Sequence, residues 1–475
     1  MGASSKKLNL YELIGLVIGS IIGGGVFNLM NDMSANAGAG AVIIGWIITG
    51  IGMLSLAFTF QNLTNKRPDL QAGVYSYAEA GFGKYMGFNS AWGYWLSVWL
   101  GNISYATLLM SALTYFFPIF ENGHNWLSFL VGSMFLWICH FLILRGIQSA
   151  SFINTVITIT KLIPLFLFII IMIVAFKLNI FTSDFWLMSD KPFSFSDVLE
   201  QVKSTMLVTV WVFSGIEGAV IFSGYAKKRN DIGRATVLGI LIVLLIYMLV
   251  TLLSFGVMKQ AQLSNLDQPA MAYLLQSIVG KWGAVVVNIG LIISVVGAWL
   301  SFTMFASEVP YAAAKTGSFP KLFAKSNKNG APVNSLIFTN VLVELFMVSF
   351  LISSSVYHLF YSISSAAVLI PYAFSAFYQL KYSYLDRQSN DRNKNIFLGI
   401  VASIYSCWLL YAAGPNYMLL ATIMFAAGIP VYYYLQKIDN KEKLVFNKYE
   451  GLIALLLFIL AIVSIICLLN GSINI

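Results

Sequence analysis

Apolar positions in this chain gather into blocks of about twenty residues, separated by short polar stretches rich in lysine and arginine. That block length matches an α-helix crossing a lipid hydrocarbon layer. Thirteen blocks can be drawn, near residues 11–32, 40–63, 86–117, 125–145, 152–176, 204–226, 235–257, 282–314, 334–353, 356–380, 395–413, 416–436 and 449–470. Only helices and closed barrels satisfy their own backbone in lipid, and blocks of this length are helical. The pattern therefore predicts an all-α polytopic membrane protein with about 13 transmembrane helices.

Two blocks are interrupted. The first carries GLVIGSIIGGGVF at residues 15–27, with five glycines in thirteen positions. A glycine inside a helix costs about 1 kcal/mol relative to alanine, so the cluster weakens a span at its middle. The sixth block carries VTVWVFSGIEGAVIFSG at residues 208–224. Glycine-broken spans at corresponding places of two halves point to an inverted-repeat transporter. This reading divides the chain into a cytoplasmic tail at 1–10, a first repeat at 11–180, a second at 181–385, and peripheral C-terminal spans at 386–475.

Unwound backbone at membrane depth is tolerated where it lines a cavity or is buried in protein. Gly23, Gly24 and Gly25 are expected to unwind the first span at a binding site. Freed N–H groups, aided by the dipole of the outer half-helix, would hold a carboxylate. Freed carbonyls would receive an ammonium group. Together they suit the common part of any α-amino acid. The competing reading is close packing, since Gly15, Gly19 and Gly23 have the spacing of a small-residue face.

Of 475 residues, 59% are hydrophobic and 10% charged, against about 25% charged in ordinary globular chains. The net charge of +9 does not point to nucleic acid. With the N-terminus inside, cytoplasmic loops collect 22 of the 28 lysines and arginines, the positive-inside pattern. An odd number of spans then leaves the C-terminus outside. A cleavable signal peptide is not evident. Cys139, Cys407 and Cys467 lie in apolar runs and read as buried packing, not as a disulfide framework or zinc site.

Ionisable residues inside a membrane are costly and mark function. Lys161, Glu217, Glu308 and Glu344 stand out. Glu217, beside Gly215, is placed to answer a cationic substrate or to couple binding to helix movement. The Lys161 ammonium is placed to substitute for a bound cation. Glu308 faces an inner vestibule or couples movement, while Glu344 fits a structural hydrogen-bonding role equally well and is left out of the site. His140 and His358 are isolated and read as packing.

The motifs VIGSIIGGGVFNL, VTVWVFSGIEGAVIFSGYAKKRNDIGRAT, AAAKTGSFPKLFAKSNKNGAPVNSL and QAGVYSYAEAGFGKYMGFNSAWGYWLSVWLGNISY together resemble the amino acid-polyamine-organocation superfamily, in its basic amino acid/polyamine antiporter family. FNSAWGYWLSVWLGN and FINTVITITKLIPLFLF make the chain most similar to bacterial arginine/ornithine antiporters within it. The resemblance implies a LeuT-like 5+5 inverted repeat with broken spans 1 and 6. It implies that Gly24 and Gly25 bind the substrate carboxylate and that the carbonyls of Ile21, Trp211 and Ser214 meet its amino group. Trp211 would cap the substrate and Glu217 would gate. Ser97, Val98 and Asn102, with Ser362, would meet the distal cationic group. The chain departs from the arginine/agmatine exchangers in carrying Phe302 where a tryptophan would stack on the substrate, and Gly24 in place of a serine.

The expected function is exchange of external arginine for internal ornithine across the plasma membrane by alternating access. The alternative is a histidine/histamine or other amino acid/amine exchanger. An intramembrane enzyme is disfavoured, since neither paired catalytic groups nor an H-E-x-x-H motif is apparent, and a channel would pass substrate without counter-substrate. Expected partners are small amino acids and amines and the bilayer, with a homodimer open and no nucleic acid. No cofactor and no metal are expected.

Overall fold

The computed structural model describes residues 9–70, 74–188, 192–217, 226–351, 356–442 and 444–472, without the side chains of residues 122, 147–156 and 229. The expected cytoplasmic tail falls almost wholly outside the described residues, as do Gly218 and Gly224 of the second interrupted block.

The principal helices are α1 (Leu10–Ile21), α2 (Leu29–Ser34), α3 (Ala39–Lys66), α4 (Val74–Phe82), α5 (Lys84–Phe116), α6 (Trp126–Leu144), α7 (Ile147–Ala175), α8 (Phe195–Phe213), α9 (Arg229–Phe255), α10 (Ala270–Val279), α11 (Lys281–Lys315), α12 (Val333–Met347), α13 (Val356–Leu385), α14 (Arg392–Ala412), α15 (Gly414–Ala426) and α16 (Lys448–Leu469). Among the described residues no strand forms. Among the described residues eleven helices are long and apolar enough to cross a membrane. They match eleven of the thirteen expected blocks to within a few residues. The two blocks missing from that set are the first and the sixth, those with the glycine interruptions.

Helix α1 starts at a capping box: Asn9 Oδ1 accepts from the N–H of Tyr11 and Glu12, and Glu12 Oε2 accepts from the Asn9 N–H at 2.8 Å. It stops at Ile21. A 3-10 turn at Gly25–Phe27 follows before α2 resumes. The first span is thus two short helices joined by a bend.

Helix α5 is the centre of the bundle, with 94% of its spanning window buried, and it packs chiefly on α13 and α11. At the other extreme α16 buries 17% of its window and meets mainly α15. It lies at the periphery. The apolar periodicity of α7 shows how such a bundle is oriented. Ile159, Ile163, Phe166, Ile170 and Ile173 form an outward stripe, while Lys161, Leu165, Phe168 and Met172 form the buried one. Lys161 therefore points inward because its helix has an apolar face to give to lipid.

The cysteine expectation holds only for Cys139, which is buried. Cys407 is exposed and Cys467 half-exposed, on faces of α14 and α16 turned away from the bundle, where lipid accepts a thiol as readily as a protein core does.

Candidate functional site

At the bend after α1 the backbone polar groups divide sharply. Most of the carbonyls are taken. Lys161 Nζ donates to the Gly19 carbonyl at 2.8 Å and to that of Ile22. The Tyr247 hydroxyl lies 3.1 Å from the Ile21 carbonyl, and Ser294 Oγ donates to that of Gly23 at 3.0 Å. The Gly24 and Gly25 carbonyls accept the N–H of Phe27 and Asn28. The N–H groups of Gly23, Gly24, Gly25 and Val26, by contrast, find no acceptor among the described residues. Buried N–H groups are rarely left orphaned. Four in succession, ahead of α2, are donors of the kind that can engage a buried anion.

Each glycine of the triplet is pressed by a side chain. A Cβ on Gly23 would stand 2.7 Å from the Tyr105 hydroxyl, one on Gly24 2.6 Å from Leu108, and one on Gly25 2.9 Å from Trp211 Nε1. Gly15 has nothing within 4 Å. The packing explanation therefore fails for Gly15, while at the triplet neighbouring side chains already fill the space a Cβ would take, so close packing contributes there.

Helix α8 ends at Phe213 and turns through Ser214, Gly215, Ile216 and Glu217. Gly215 sits at φ +102, and a Cβ there would be 2.6 Å from the Ser20 carbonyl oxygen. Ser20 Oγ donates to the Gly215 carbonyl at 2.9 Å. The two bends are thus in direct contact. The Tyr247 hydroxyl, also 3.0 Å from the Val212 carbonyl, bridges them from α9.

Trp211 lies over Gly25. Its ring centroid is 5.3 Å from Tyr105, 6.3 Å from Phe302 and 5.8 Å from Tyr361, and a Cβ on Gly101 would touch both Phe302 and Trp211. Gly24, Gly25, Trp211 and Phe302 therefore meet at one place. The predicted distal residues flank it. Asn102 Nδ2 donates to Thr303 Oγ1 at 3.3 Å and leaves its own Oδ1 buried without a partner. Ser97 pairs with Ser364, whose Oγ donates to the Ser97 carbonyl at 2.7 Å. Val98 and Ser362 are buried, Ser362 next to the Tyr361 ring. Two of the three expected ammonium acceptors already carry a bond: Ile21 from Tyr247, and Trp211 from the Ser214 N–H at 3.1 Å. Each carbonyl keeps a second lone pair.

Glu217 is buried and held by two hydroxyls that the sequence did not single out. Tyr94 on α5 donates to Oε1, and Tyr372 on α13 donates to Oε2 at 2.6 Å. The acid ties the second bend to two helices at once. Glu308 stands apart: it is half-buried, and its electrostatic neighbours are Lys315 and Tyr75. Glu344 has one buried oxygen without a partner. His140 is packed against Asn340 at 3.1 Å. His358 is not isolated, for its Nδ1 lies 4.0 Å from Asp32 and its Nε2 3.1 Å from the Gln268 amide. Asp32, at the last position of the first expected block, was not among the candidates.

Residues 8–384 match the family model described as amino acid permease. An arginine/ornithine antiporter of Pseudomonas aeruginosa is 48% identical over 435 residues, 90% of each chain. An arginine/ornithine antiporter of Latilactobacillus sakei is 42% identical over 469 residues, 99% of this chain and 98% of the relative. An arginine/agmatine antiporter of Chlamydia pneumoniae is 44% identical over 480 residues, 99% of each.

Proposed function

From the premise that this chain belongs to the amino acid permease family, we propose that it is a multi-pass plasma-membrane antiporter exchanging external arginine for internal ornithine. The relatives named for arginine exchange support the arginine half of that statement. The single observation that carries the site is the bend at Gly23–Val26, with four N–H groups that find no acceptor among the described residues, under a buried tryptophan.

In this reading the substrate carboxylate docks on the amides of Gly24 and Gly25, and Trp211 closes over the bound amino acid. Its α-ammonium meets the carbonyls of Ile21, Trp211 and Ser214. Ser97, Val98, Asn102, Phe302 and Ser362 surround the side chain. Lys161 ties down the C-terminal end of α1 through the Gly19 and Ile22 carbonyls, in the place an inorganic ion would otherwise fill. Glu217, held by Tyr94 and Tyr372, keeps the opposite side closed, and Glu308 lies further along that path. The five-plus-five division supplies the two bodies that rock against each other. The charge asymmetry of the loops supports an inside N-terminus and an outside C-terminus.

Arginine and ornithine are both monovalent cations, so one-for-one exchange moves no net charge. The test uses purified protein in vesicles loaded with ornithine. Labelled arginine should enter only against internal ornithine and should leave a potential-sensitive dye unchanged. Uptake into empty vesicles at the same rate defeats the antiport reading. The arginine/agmatine relatives favour a second cargo. Exchange against agmatine, which carries a higher charge, would move the dye.

A further inference from the structure

One buried acid has no place in the scheme above. Asp32 lies on α2, seven residues beyond Gly25, and its side chain is 1% exposed. Neither carboxylate oxygen has a hydrogen-bond partner among the described residues. Unpaired carboxylates are costly to bury, so a group held this way is reserved for something that arrives.

The surroundings say what arrives. His358 Nδ1 stands 4.0 Å from Oδ1. The Gln268 amide is 3.1 Å from His358 Nε2. With that amide donating, the neutral imidazole carries its proton on Nδ1, facing the carboxylate yet too far to bond it. Tyr357 and Tyr361 are the other groups within electrostatic reach of Asp32. Among the described residues no lysine or arginine pairs with it. The His358 side chain is 45% exposed, so one edge of the cluster reaches the surface of the protein. The Tyr361 ring lies 5.6 Å from the His358 ring and 5.8 Å, tilted, from that of Trp211. Asp32 is therefore one ring away from the cap of the amino-acid site, on the α2 side of it, whereas Glu217 follows the second bend.

We propose that Asp32, flanked by His358 and Tyr361, is a specificity-determining station that receives the guanidinium or ammonium end of the substrate on the outer side of Trp211. The station rests on the cationic amino acid exchange proposed above. A cation entering past His358 pairs with the waiting carboxylate, and the amino-acid head then lies against Trp211, which must move for the substrate to reach Gly25. A neutral amino acid gains nothing at this step. Selection by charge thus occurs before the amino-acid head is bound, and it comes from a residue of the broken span itself.

The experiment compares full-length wild type, Asp32→Asn and Asp32→Glu in vesicles with defined orientation, using labelled arginine and its neutral ureido isostere citrulline. Wild type that fails to exchange arginine defeats the cationic-exchange reading, whatever the variants do. Given active wild type, Asp32→Asn should raise half-saturation for outer arginine about tenfold, the loss of one charge-assisted hydrogen bond. Maximal rate, inner half-saturation and citrulline uptake should stay within about twofold of wild type on the same arithmetic. Asp32→Glu should recover most of the outer affinity. Unchanged outer affinity and an unchanged arginine-to-citrulline ratio in Asp32→Asn overturn the station. So does an equal loss on both faces and for both substrates that Asp32→Glu fails to rescue, since that is the mark of a structural carboxyl.

Discussion

Glu217 shows what a single buried charge does when its partners are hydroxyls. Tyr94 and Tyr372 each donate to one oxygen, and hydrogen bonds to an ionised acceptor are about twice as strong as neutral ones. Glu217→Gln keeps the shape but turns one oxygen into a donor that faces a hydroxyl. Exchange should fall about tenfold while the gel-filtration profile is unchanged. Tyr372→Phe should have a smaller effect, and the double variant should be less impaired than the two losses summed, because both act on one network. Strict additivity in vesicle assays would place the two residues in separate roles. Lys161 is the matching case for carbonyls. Lys161→Ala strands the Gly19 and Ile22 carbonyls, at about 1–3 kcal/mol each, so the purified variant should melt at lower temperature and lose exchange. Normal counterflow in Lys161→Ala would remove the ammonium from the mechanism. Both residues were legible as isolated charges in apolar runs. Asp32 was not, because it closes its run and reads as a solvated end. Tyr94 and Tyr372 were not, because the chain holds 24 tyrosines and only the fold selects two.

At the scale of the element, the question is whether a glycine is there for its backbone or for its small size. The two bends answer differently from the rest of α1. Gly215 needs its positive φ and also has the Ser20 carbonyl oxygen 2.6 Å from any added Cβ. Gly215→Ala should therefore destabilise the protein by about 1–3 kcal/mol and separate the bends. Gly15→Ala meets open space and gains the helix preference of alanine, up to about 1 kcal/mol. Thermal melts of the two variants in detergent should move in opposite directions, and a common sign would mean that the bends are not the reason for the glycines. The sequence marked where the first span breaks, through three adjacent glycines. It did not mark how the break is stabilised, since Lys161, Tyr247 and Ser294 reach it from three other helices.

For the molecule as a whole, burial separates a densely packed centre from a thinly packed rim. Helix α16 buries 17% of its spanning window, against 94% for α5, and its polar tie to the centre is Glu450 Oε1 accepting from the Tyr85 N–H at 3.2 Å. Removing residues 448–475 should leave arginine exchange within about threefold of wild type while lowering thermal stability by about 1–3 kcal/mol, from the lost bond and packing. Abolished exchange in a folded truncation would show that the last span belongs to the mechanism. By itself the sequence determined the membrane class, the positions of the continuous spans and the two interruptions, because lipid imposes length and apolarity locally, residue by residue. It also determined which charges are out of place. Tertiary structure alone decided which freed carbonyls are satisfied and which N–H groups are not, that the two bends touch through Ser20 and Gly215, and that Asp32 is buried with no hydrogen-bond partner among the described residues. Those facts depend on atoms brought together from distant parts of the chain, and no local pattern encodes which of many serines, tyrosines or acids will be the one in reach.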